Sequence, residues 1–78
     1  LTNTQTQEHR GLKKGSRVKL IETKDPYTDL KNFEYIGTVQ NINFCKLTGY
    51  EGFYQIWVNW DNGSYFAIVD SDKFEVLK

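Results

Sequence analysis

From residue 17 onward the chain alternates apolar and polar positions with a period of two. In RVKLIET, Val18 and Leu20 fall on one face and Lys19 on the other, the pattern of a strand with one buried face. IGTVQNINF predicts a second strand. Its Gly37 marks a tight bend or a close backbone approach. Val39 and Ile42 stand three apart, which breaks the period of two, and a bulge or strong coiling between them would bring both inward. FYQIWVNW predicts a third strand, with Ile56, Val58 and Trp60 on the core face and Gln55, Trp57 and Asn59 opposite. SYFAIV predicts a fourth, with Phe66 and Ile68 inward, and FEVL a fifth, with Phe74 and Val76 inward.

The connections have turn chemistry. KDPYTDLKN is a long loop whose Asp25-Pro26 sets a turn, and Leu30 is expected to tuck it onto the core. Asp61-Asn62-Gly63 lies between two strongly β-forming runs. Asn-Gly predicts a type I′ hairpin, in which Asp61 accepts hydrogen bonds from turn amides. DSDK is a short turn. The opening LTNTQTQEHRGLKKGS is polar throughout and is expected to be disordered, or helical for one turn begun at Thr4 and ended at Gly11.

Five short strands with a long first loop and no helical period after residue 16 predict an all-β domain, a small five-stranded SH3-like barrel over residues 16–78. Residues 1–15 read as a flexible basic arm. KGSRVKLIETKDPYTDLK, GTV, IWVNWDNGSYFAIV and DKFEVL together resemble a family of small bacterial proteins of unassigned function, found in phages and mobile elements of Gram-positive bacteria. The resemblance covers about residues 14–77. More loosely, V-x-W-D-N-G is similar to other SH3-like modules, including peptide-binding domains of some eukaryotic ubiquitin ligases. Two segments depart from the family pattern: NFCKLTGYEGFYQ is longer and more aromatic than the turn expected there, and VDSDK lacks the usual Pro-Gly. The resemblance implies the barrel and a phage or mobile-element setting, and brings no activity with it.

Composition limits what this fold does. At 78 residues the chain is one domain with few apolar residues to spare. A single cysteine, Cys45, permits no internal disulfide, which points to a reducing interior, and the family resemblance implies that this is the cytoplasm of a bacterial host. Cys45 itself reads as a small hydrophobe. No apolar stretch approaches the ~20 residues of a membrane span, so no membrane partner is expected. The chain contains no methionine, which predicts a trimmed start.

No constellation predicts catalysis or a cofactor. The only histidine, His9, falls in the polar arm and is expected to be exposed and idle. Cys45 has no base nearby in sequence, and GLKKGS lacks phosphate-loop spacing. Glu22, Asp25 and Asp29 lack the spacing of a calcium loop, and no Cys/His cluster suits zinc.

Binding is therefore the expected activity. The first reading is a protein or peptide partner, held by an aromatic groove of Tyr27, Tyr35, Trp57 and Tyr65 beside the acids Asp25, Asp29 and Glu34. The acids favour a basic or proline-containing peptide. In the mobile-element setting such a protein would act as an adaptor or as an inhibitor of a host protein. The alternative is nucleic acid. The net charge is zero but unevenly spread: residues 1–24 carry six Lys or Arg against two acids, and residues 25–78 four against eight. Arg10, Lys13, Lys14, Arg17 and Lys19 would contact phosphates. A pI near 6.8 weighs against this, because dedicated nucleic-acid binders are strongly basic. Tyr50, Phe53 and Tyr54 in the long segment 43–55 are candidates for a homodimer contact, so monomer and homodimer both stand.

Overall fold

A computed structural model describes residues 2–26, 28–46, 49 and 51–77. These form eight strands and no helix: β1 (Thr2–Gln5), β2 (Glu8–His9), β3 (Leu12–Lys13), β4 (Arg17–Glu22), β5 (Ile36–Lys46), β6 (Phe53–Trp60), β7 (Tyr65–Val69) and β8 (Lys73–Leu77). The main sheet is antiparallel and runs β7-β6-β5-β4-β8. Strand β1 joins it on β5, and β2 and β3 make a separate two-stranded hairpin. Among the described residues no pairing joins the two end strands, β7 and β8.

Strands β4 to β8 correspond to the five expected from periodicity. Their inward residues Val18, Leu20, Val39, Ile42, Ile56, Val58, Trp60 and Ile68 form one core, with Leu30, Phe66 and Phe74 packed against it. Of a bulge or strong coiling between Val39 and Ile42, the strand has the bulge: register with β6 shifts between Val39 and Asn41, leaving Gln40 as the extra residue. Val39 and Ile42 are both buried as a result. Gly37 faces Trp60 across the β5–β6 ladder so closely that a Cβ there would lie 2.5 Å from the Asn59 carbonyl oxygen and 2.8 Å from the Trp60 Cα.

The opening segment differs from its sequence expectation. It is neither disordered nor helical. β1 pairs in register with the far half of β5, from Thr2 opposite Lys46 to Gln5 opposite Asn43. Leu12 is fully buried in the main core. Gly11 and Arg10, both at positive φ, turn the β2–β3 hairpin. The physical reason is the length of β5. At 11 residues it outruns β4, and its spare edge supplies the backbone partners that polar TNTQ cannot find locally.

Two finer expectations also change. The β6–β7 turn has positive φ at Gly63 only, so it is not type I′. Gly63 N–H donates to the Trp60 carbonyl and Trp60 N–H to the Ser64 carbonyl, a three-residue turn with glycine in the left-handed position. Asn62, not Asp61, braces it, accepting from Ser64 N–H at 3.0 Å. Val76, expected inside, is 39% exposed. It lies opposite buried Val18, but on an end strand that has no pairing neighbour on its outer side among the described residues.

Candidate functional site

The long loop between β4 and β5 is organised by its own acids. Asp25 accepts from the Thr28 hydroxyl at 2.9 Å, and Asp29 accepts from the Asn32 amide nitrogen and side chain. Behind it Asp72 is buried, accepting from the Thr23 hydroxyl at 2.8 Å and from Val69 N–H at 3.0 Å, so the loop base and the β7–β8 turn are tied together. Thus Asp25 and Asp29 serve as turn-forming acceptors.

Between this loop and β4 lies a groove of about 450 Å³, lined on the strand side by Leu20 and Ile21 and on the loop side by Leu30 and Phe33. Phe33 is 58% exposed and Ile21 48%. Lys31 and the ion-paired Lys19 and Glu34, 3.2 Å apart, rim it. A smaller depression beyond Phe33 is bordered by Tyr35, Asn62 and Ser64.

Of the four rings expected to make a single aromatic patch, the three described ones do not all lie together. Tyr27 lies outside the described residues. Tyr35 is buried, packed edge-on to Trp60 and to Phe66 with ring centroids 5.7 Å away in each case. Its parity explains this: Tyr35 enters the sheet in step with Gly37 and Val39, both inward. Trp57 and Tyr65 do share the outer face of β6 and β7, stacked at 5.5 Å with Tyr65 54% exposed. Sequence reasoning missed Phe33 and Ile21. The signal for Ile21 was available, since it has the outward parity of Lys19.

The basic residues are mostly committed. Arg17 spans the turn, donating to both Asp61 carboxylate oxygens and to the Thr38 hydroxyl. Chiefly through those hydrogen bonds, the guanidinium holds the Asp61 carboxyl below its ordinary range, and Asp61 in turn raises Arg17. Arg10 sits over the Phe74 ring at 4.5 Å and donates to the Asp70 carbonyl at 3.2 Å. Lys19 is paired with Glu34. Lys13 and Lys14 have no ion pair among the described residues.

His9 is neither idle nor in a loose tail. It stacks on Tyr54 at 3.6 Å, and its Nε2 lies 2.6 Å from an Asp70 carboxylate oxygen. Tyr54 also packs against Phe44, so the inner ring of segment 43–55 is used within the molecule, whereas Phe53 is exposed and Tyr50 lies outside the described residues. Cys45 is buried, its Sγ donating to the Gln55 side chain at 3.3 Å. Among the described residues no group of three His, Cys, Asp or Glu side chains is placed to hold a metal ion. No protein-family model, curated protein or solved structure matches this chain.

Proposed function

We propose that the protein is a non-catalytic binding module, an SH3-like barrel that takes an extended segment of a partner protein into the groove of Ile21, Leu30 and Phe33. One observation carries this reading. A domain of 78 residues needs nearly all its apolar side chains for its core, yet two large ones stand about half exposed on either side of one groove. The occupant is an extended segment presenting apolar side chains. A basic peptide is not specially favoured, because Asp25 and Asp29 are spent on loop turns and Glu34 on Lys19. The motif resemblance adds the setting: an adaptor or inhibitor of phage or mobile-element origin, working in the cytoplasm of a bacterial host. The nucleic-acid alternative loses support, since Arg10, Arg17 and Lys19 are engaged internally.

The test is selection of peptides from a displayed random library on the full chain. The expected result is a shared apolar motif whose binding falls at least about tenfold, or ~1.4 kcal/mol, in Phe33→Ser and is unchanged in Tyr65→Ala. No enrichment, or binding indifferent to Phe33→Ser, overturns the proposal.

A further inference from the structure

Strand β5 changes neighbours part-way along. Its first residues pair with β4, ending at Thr38 opposite Arg17. Val39 is bonded to the β3–β4 turn through Gly15 N–H and the Ser16 carbonyl. From Ile42, whose carbonyl accepts from Thr6 N–H, and Asn43, opposite Gln5, the neighbour is β1. Gln40 and Asn41 fall in the seam, paired with neither strand on that side. The bulge turns both side chains outward, because Val39 and Ile42 on either side are buried.

The seam opens into a polar cleft of about 470 Å³, completed by Lys14, Asn59 and Tyr65. It continues, through the shared Lys14, Gln40 and Asn41, into a hollow of about 210 Å³ walled by Gln5 and Gln7. The total lies within the range of small-ligand sites. The lining chemistry is unusual in one respect: five carboxamides, from Gln5, Gln7, Gln40, Asn41 and Asn59, dominate it, beside Thr6, Ile42 and Tyr65, with one cation and no acid. Each carboxamide offers two N–H donors and a carbonyl acceptor. Among the described residues only a long 3.5 Å contact from Gln40 Nε2 to the Thr38 carbonyl uses any of them. At the rim, Tyr65 is held flat by Trp57 behind it and keeps its other face open.

We propose that this seam is a saccharide-binding site for a sugar chain that is neutral or carries a single acidic group. Sugar hydroxyls are each donor and acceptor, as the carboxamides are, and the apolar face of a pyranose ring fits against an open tyrosine. Lys14 accommodates one carboxylate or phosphate. The absence of acids from the lining disfavours a cation. One lysine in a protein of zero net charge disfavours a polyanion, whose every added unit brings another phosphate. The cleft shares no lining residue with the Phe33 groove, so the two sites stand or fall separately.

The experiment is titration of the isotope-labelled full chain, followed by amide NMR, with cellotetraose, with a uronic-acid-terminated tetrasaccharide and with octathymidylate. Saccharide is expected to shift the Gln40, Asn41 and Asn59 signals, side-chain amides included. Tyr65→Ala and Asn59→Ala are each expected to weaken binding about tenfold. Both positions are exposed, so both variants keep the core. Lys14→Gln is expected to weaken only the acidic sugar. Two results overturn the proposal: no shift from either saccharide at tens of millimolar, or shifts from octathymidylate alone that vanish with added salt.

Discussion

Single residues set two strict conditions on this protein. At Gly37 a would-be Cβ meets the Val58 side chain and, as closely, the Asn59 and Trp60 backbone, which cannot rotate aside as a side chain does. Gly37→Ala therefore has to spread β5 from β6, and chemical denaturation should show a loss of about 1–3 kcal/mol or more. Arg17 and Asp61 set the second condition. Asp61 has its folded carboxyl pKa depressed, so its contribution is present above the ordinary carboxylate pKa of about 4 and is lost as pH falls through the lower folded value. Acid titration of Asp61→Asn beside the parent should show the parent more stable near neutrality and the gap closing below about pH 4. The pair is exposed, so added salt should narrow the gap at neutral pH too. At this scale the sequence was legible wherever side-chain parity decides. Gly37, the bulge at Gln40 and the outward Trp57 follow from a period of two. Tyr35 did not, because it was read as the end of a loop rather than as an inward residue leading directly into β5. The partner of Asp61 was hidden because Arg17 lies 44 positions away.

Among the elements, β5 organises the rest. It pairs with β6 along one edge and divides the other between β4 and β1. Composition concealed β1, since TNTQ has no apolar alternation. Such a strand forms because an edge is waiting for it, and that edge comes from residues 43–46, far downstream of residues 2–5. Leu12 is the anchor of the opening segment. Leu12→Ala should cost about 2–5 kcal/mol by thermal or urea unfolding, whereas Lys13→Ala next to it should fall within about 0.5 kcal/mol of the parent. A negligible cost at Leu12 would mean that the segment does not belong to the core. The candidate site was legible only in outline for a related reason. A groove beside the first long loop was foreseeable from that loop's length, but which apolar side chain stays outside depends on how the loop folds back, and here Asp25 and Asp29 fix that with local hydrogen bonds.

At the scale of the whole molecule, the two ends of the chain are fastened together. The β2–β3 turn rests on the β7–β8 turn through His9 and Arg10 against Asp70, and Arg10 also covers Phe74 on β8. The opening segment and the sheet should therefore unfold as one unit, and amide signals from β3 and from β6 should vanish at the same urea concentration. Earlier loss of β3 would show a separable arm. The charge imbalance along the sequence is partly offset by this folding, since Arg10 and Arg17 from the basic end meet Asp70 and Asp61 from the acidic end.

The placement of the two indoles has a practical consequence. Trp60 is sealed in the interior, while Trp57, three positions earlier, lies on the solvent side of the same strand beside Tyr65. Intrinsic emission from the unlabelled protein should thus contain a blue-shifted component that aqueous iodide barely quenches and a redder one that it quenches readily. The first would report the integrity of the fold and the second any molecule settling near Tyr65, so a single cuvette could separate a variant that has lost its ligand from one that has lost its structure.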